Sequence, residues 1–214
     1  MRKTLKVIRS VSLVFIIVAY AVLVHHVNTS CQSSRLGALL ALAPLLLITL
    51  TFALRATPKL LGMSLILLFL LGSWLALPLF EQHTALIFWL QDVGLMLLLL
   101  VTFARTLLPG RKPLCVHFAE IINGGTLPIA HEHYAYKVTI AWVIFFAAII
   151  LASTVLFFFA PLATWSFFVN FLTLPLVALM FIVEFLVRRQ VLTDLPVGNV
   201  LDAVRAYINS KRAH

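Results

Sequence analysis

Six apolar stretches, each near or beyond the length of a bilayer crossing, decide what this chain can fold into. They cover about Ser12–Val27, Leu36–Leu54, Leu60–Phe80, Ala85–Ala104, Tyr136–Phe159 and Thr164–Val187. About 20 residues are needed to cross ~30 Å of hydrocarbon at ~1.5 Å per residue. Lipid offers no partner to an unpaired backbone group, so such stretches must be helices or a closed barrel. A barrel would show alternating segments of about 10 residues, and these are absent. The sequence therefore predicts an all-α, polytopic membrane protein with six transmembrane helices.

Composition agrees. Of the 214 residues, 63% are hydrophobic and 11% charged, too apolar for a soluble domain to bury. The net charge of +9 would suggest nucleic acid only if the basic residues formed a patch, and they sit instead between apolar spans. No nucleic-acid partner is expected; membrane lipids are.

The placement of Lys and Arg orients the chain. Arg2, Lys3, Lys6 and Arg9 precede the first span, and Arg55 and Lys59 follow the second. Arg105, Arg111, Lys112 and Lys137 lie between the fourth and fifth, and Arg188, Arg189, Arg205, Lys211 and Arg212 after the sixth. Six spans put these fifteen of the sixteen basic residues on one side, with only Arg35 opposite. Adding or removing a span would scramble the split. Both termini and the central loop are expected in the cytoplasm, in a bacterial inner (plasma) membrane. The first span is expected to stay uncleaved, because no small-x-small site precedes its polar end. Asn28 stands where a lipid-attachment signal at Cys31 would need an aliphatic residue. Cys31 and Cys115 fall on opposite sides in this topology and cannot pair within one chain.

The expected organisation is a four-span N-terminal half over 1–104, a cytoplasmic loop over 105–137, a two-span hairpin over 138–189 and a tail over 190–214. The loop, RTLLPGRKPLCVHFAEIINGGTLPIAHEHYAYK, is the one long polar interruption. Within it Pro113 suits the start of a short interfacial helix with Leu114, Phe118, Ile121 and Ile122 on one face. Lys112, His117, Glu120 and Asn123 lie off that face, and Gly124-Gly125 ends the helix. Such a helix lies in the headgroup layer, with Arg111 and Lys112 near anionic lipid. Val200, Val204 and Ile208 give the tail a weaker pattern of the same kind. Trp142 and Trp165 are expected in aromatic belts, and His25-His26 at an interface. Pro44 and Pro78 lie in or near the ends of spans, and Pro175 predicts a bend in the sixth.

Ionisable groups at membrane depth are functional candidates by default. Asp92, beside Gln91, is either a substrate-binding or proton-carrying carboxylate, or a packing group hydrogen-bonded to another helix. Glu184 is four residues before Arg188 and is expected to pair with it. Asn170 is expected to bond between helices. With Arg111, Lys112 and His117 these are the candidate binding residues. No catalytic residue is assigned. His131-Glu132-His133 lacks the i, i+4 spacing of a zinc site, with only His117 and Cys115 as further ligands, so it is expected as a polar loop. Neither a metal nor a cofactor is expected. No phosphate loop, nucleophile elbow, Cys-x-x-Cys pair or acyltransferase His-x-x-x-x-Asp appears.

Leu108–Leu114 (LPGRKPL), then GGTLP, Tyr134, Lys137-Val138-Thr139 and Ala141-Trp142 resemble a family of small bacterial membrane proteins. So does FFAPLATWSFFVNFLTLPLVALMFIVEFLVRR. That family accompanies gene clusters for aryl-polyene (xanthomonadin-like) pigments, beside acyl carrier proteins and fatty-acid-synthase-like enzymes. The resemblance covers about Leu108–Arg189; before that the match is only in apolar character. Where the family tends to place arginines before the fifth span, this chain has His133 and Tyr136, which argues against a family-wide metal site there. The resemblance implies an inner-membrane accessory of lipid-like product assembly or movement and names no reaction.

Three readings follow. In the first, the protein is an accessory subunit whose basic loop recruits acyl carrier protein or synthase components, since acidic partners are drawn to basic surfaces. The second is a small transporter or flippase, motivated by Asp92 and Pro175 and expected to be a homodimer. The third, an intramembrane acyl transferase, rests only on scattered groups such as Asn170, Glu184 and His117.

Overall fold

A computed structural model describes residues 2–29, 35–125 and 127–192. All regular structure among them is helical, as expected. Helices α1 (Arg2–Thr29), α2 (Arg35–Arg55), α3 (Lys59–Gln82) and α4 (Thr84–Ala104) come first, α4 ending in a 3-10 turn at Arg105–Leu107. The short α5, Leu114–Asn123, precedes α6, Ile129–Phe159. A last rod comprises α7 (Leu162–Phe167), a π turn (Phe168–Leu172) and α8 (Thr173–Val191). Five helices are long and apolar enough to cross a membrane: α2, α3, α4 with its 3-10 turn, α6 and the α7–α8 rod. The apolar part of α1 over Val14–Thr29 is shorter. Cys31 and the tail pattern of Val200, Val204 and Ile208 lie outside the described residues.

Side-chain exposure is what lipid as solvent demands. Of α3 only Gly62 is buried, while Trp74 is 73% and Leu75 72% exposed. The interior is small and partly polar: Thr139, Ser153 and Ser166 are each fully buried.

Compact packing falls into two units, Met1–Asp92 with Ser153–Thr173, and Val93–Ala152 with Leu174–His214. The core of the first is Val24, Ala41, Phe88 and Trp165. Here α2 runs against α3 closely enough that Gly62 faces the backbone of Ala53. Arg35 and Glu81 close the far end of this hairpin, 3.3 Å apart. Pro44 has no N–H, so the carbonyl of Leu40 loses its usual helical donor. The Tyr20 hydroxyl donates to that carbonyl at 3.1 Å, and Gln91 Nε2 donates to the neighbouring Ala41 carbonyl at 2.7 Å. Tyr20→Phe should therefore cost about 1–3 kcal/mol, the penalty for a buried unpaired group. Thermal unfolding in detergent measures it, and a melting point equal to wild type would show that the Leu40 carbonyl does not need Tyr20.

In the second unit Trp142, Phe146 and Ile149 are buried. The Trp142 ring lies 4.7 Å from Phe181 and 6.1 Å from Phe103. Both tryptophans expected in aromatic belts are thus core residues: Trp142 is 5% and Trp165 1% exposed. Trp165 is held inside because Ser153 supplies an acceptor for its indole N–H at 3.1 Å.

One further expectation is corrected. Helix α6 begins at Ile129 rather than Tyr136, because the Pro128 carbonyl accepts the N–H groups of His131 (2.9 Å) and Glu132 (3.1 Å). His131, Glu132 and His133 lie in its first turns, where Glu132 suits the positive end of the helix dipole. Just ahead of Pro175, where a bend is expected, the rod carries the π turn. There the backbone N–H and hydroxyl of Thr173 both turn to the Phe168 carbonyl, five residues back.

Candidate functional site

The segment after α4 is held by its own sequence. Arg111 N–H donates to the Leu108 carbonyl at 3.1 Å, with Pro109 next and Gly110 at φ 77°. That is a type II turn, for which Pro-Gly at the two central positions is the favoured pair. The turn leads into α5, whose free N-terminal donors are taken up by side chains. Leu114 N–H donates to Thr106 Oγ1 (3.1 Å) and Cys115 N–H to Thr139 Oγ1 (3.2 Å). Val116 is fully buried. Gly124, at φ 71°, ends the helix as expected, with its N–H and that of Gly125 on the Glu120 carbonyl. These anchors turn Val116 inward, and Phe118, Ile121 and Ile122 stay 48%, 36% and 37% exposed.

Two recesses flank α5 within this unit. One is shallow, about 390 Å³, with Arg111, Pro113, Glu132, His133 and Tyr136 on its walls. The other is deeper-walled, a cavity of about 290 Å³ between α5, α6 and the end of α8. Its polar end carries His131, Tyr134, Glu184, Arg188 and Arg189; its apolar end carries Val138, Trp142 and Phe181. Tyr134 donates its hydroxyl to the Glu184 backbone carbonyl at 3.1 Å, tying α6 to α8. Glu184 and Arg188 lie 3.6 Å apart, as their spacing predicts. Arg188 and Arg189 both stand over the Phe185 ring, at 5.7 and 5.8 Å. The two ring nitrogens of His131 are buried and have no hydrogen-bond partner among the described residues. Cys115 also lines this cavity. Burial raises its thiol pKa, a hydrogen bond with Thr139 opposes this, and the Glu184 charge adds to the rise.

The candidate residues separate. Glu184 lines the cavity, Arg111 lies on the shallow recess, and His117 is exposed beside Phe118. Lys112 is engaged with Glu120 at 2.8 Å. Asp92 and Asn170 belong to the other unit. Asp92 Oδ2 accepts from Ser153 Oγ at 2.7 Å, and Ser153 Oγ accepts from Trp165 Nε1, so the carboxylate ends a buried chain. Asn170 sits in the π turn and donates to the carbonyl (2.8 Å) and hydroxyl (3.2 Å) of Ser166, within its own helical rod. Its side chain therefore bonds locally, where an interhelical bond was expected. His25 Nδ1 reaches the same hydroxyl at 3.1 Å and Asn28 Nδ2 at 3.4 Å. His25, partly buried, thus joins Asn28 and Asn170 around the Ser166 hydroxyl.

The sequence suggests His131 as a polar loop residue rather than a metal ligand, and gives no prominence to Ser153 and Ser166. Small hydroxyl residues inside otherwise apolar spans were the available signal. Among the described residues no three His, Cys, Asp or Glu side chains converge as metal ligands would. No family model, curated protein or solved structure matches the chain.

Proposed function

We propose that this chain is a six-span bacterial inner-membrane accessory protein. It assists assembly or membrane handling of an acyl or polyene lipid-like product by recruiting cytoplasmic biosynthetic partners to residues 105–137. In this reading α1 supplies the sixth span, its apolar stretch of Ser12–Val27 lying within a continuous 28-residue helix. The split of basic residues supports a cytoplasmic side for both termini and the loop.

One observation carries the recruitment reading: the basic loop is folded and anchored. The type II turn holds Arg111 exposed at the rim of the shallow recess, and α5 is fixed beside it by Thr106, Thr139 and Val116. Arg105 and Lys137 are exposed as well. A preorganised basic surface binds an acidic protein such as an acyl carrier protein without first ordering a loop. The product class comes from the resemblance of LPGRKPL and the segments after it. Reversing charge with Arg111→Glu and Lys112→Glu should abolish co-purification with the acidic partner, and should do so with α5 still folded. Undiminished co-purification would sink this reading.

A further inference from the structure

The cavity in the second unit has a polarity that runs along its helices. On α6 the lining residues are His131, Tyr134, Ala135, Val138 and Trp142, at the i, i+3, i+4, i+7, i+11 spacing of one helical face. Of the larger four, the first two are polar, the last two apolar. On α8 the order is reversed, from Phe181 through Glu184 to Arg188 and Arg189. The antiparallel match puts both polar ends together, as the Tyr134–Glu184 bond shows, and both apolar ends together, as the Trp142–Phe181 contact shows. From His131 to Trp142 is roughly 16 Å along the helix axis at 1.5 Å per residue.

The charges at the polar end do not cancel. Glu184 and Arg188 neutralise each other, and Arg189 has no ion pair among the described residues. His131 adds a buried ring N–H with no hydrogen-bond partner among the described residues. A buried donor left unmade costs free energy, and an anionic oxygen would relieve it. At about 290 Å³ the cavity is at the small end of ligand sites. That favours one hydrocarbon chain over two.

We propose that this cavity binds a single-chain amphiphile with a carboxylate head. The head lies between Arg189 and His131, and the chain lies against Val138, Trp142 and Phe181. The site is separate from the recess at Arg111 and does not depend on partner recruitment.

Cys115, on the cavity wall, reports occupancy. Full-length protein carrying Cys31→Ser, in phosphatidylcholine nanodiscs, is alkylated by a maleimide at alkaline pH, with long exposure because burial raises the thiol pKa. Decanoate and dodecanoate should slow alkylation in a saturable way. Dodecanol and dodecyltrimethylammonium should need at least about tenfold higher concentration, because they lack the charge-assisted hydrogen bonds. Arg189→Gln, an exposed change that gives up the cation contact over Phe185 while Arg188 keeps its own, should cost about tenfold in dodecanoate affinity and leave dodecanol unchanged. Val138→Trp should fill the apolar end and remove protection by every amphiphile. Native mass spectrometry of the unsubstituted chain gives a second readout, in which dodecanoate adducts should outlast dodecanol adducts. Equal protection by dodecanoate and dodecanol would overturn the carboxylate assignment. Absence of protection and of adducts would overturn the site.

Discussion

Gly62→Leu should be among the most damaging single changes in the protein. A Cβ at this position would overlap the carbonyl oxygen of Ala53 and lie 3.1 Å from its carbonyl carbon. These are backbone atoms, so no side-chain rotation relieves the contact, and α3 must move away from α2. In lipid, helices associate through close packing of small residues with no hydrophobic gain to compensate a lost fit. Overpacking in a tight core costs about 1–3 kcal/mol, and a backbone shift along a whole helix pair belongs at or above the upper end. Gly72 on the same helix is the internal control, since a Cβ there meets nothing within 4 Å. Gly72→Leu should change stability by no more than about 0.5 kcal/mol. Thermal unfolding of both variants in detergent decides the point. Equal melting of Gly62→Leu and wild type would mean that α2 and α3 do not approach as described.

The contrast between Gly62 and Gly72 shows what the sequence reveals and what it hides. Both stand in one run of leucines, and nothing local distinguishes them. Helix lengths were legible because the bilayer sets them: α2, α3 and α4 end within two residues of the apolar limits. The turn at Leu108–Arg111 was legible as a pattern, since Pro-Gly has few other uses. Inward faces were not. When every position of a helix is apolar, periodicity carries no direction, and a tryptophan reads as a belt residue whether or not it is one. Trp142 and Trp165 are buried because particular partners receive them, Phe181 in one case and the Ser153 hydroxyl in the other. The inward face of α5 depended on Thr106 and Thr139 capturing its first N–H groups, 8 and 24 residues away in the chain. His131 joined the cavity only because α6 starts early enough to carry it there.

Ser153→Ala should have the other large effect, and it bears directly on whether Asp92 works or merely packs. The Ser153 hydroxyl gives its proton to Asp92 and takes one from the Trp165 indole. Alanine leaves both without that partner in a fully buried position. Each stranded group costs about 1–3 kcal/mol. Asp92→Leu should add little in a Ser153→Ala background, with a coupling of about 0.5–3 kcal/mol in a double-mutant cycle. Asp92→Asn retains an oxygen that accepts from Ser153, so it should keep most of the stability. The same variant separates the two readings of Asp92, because an amide can pack but cannot carry a proton or a charge. If the carboxylate serves packing, Asp92→Asn keeps both its melting point and the wild-type distribution of the proposed product between inner and outer membranes. If Asp92→Asn melts like wild type but strands finished product in the inner membrane, the carboxylate is doing transport chemistry. Recruitment at Arg111 would then no longer be the function that best accounts for this fold.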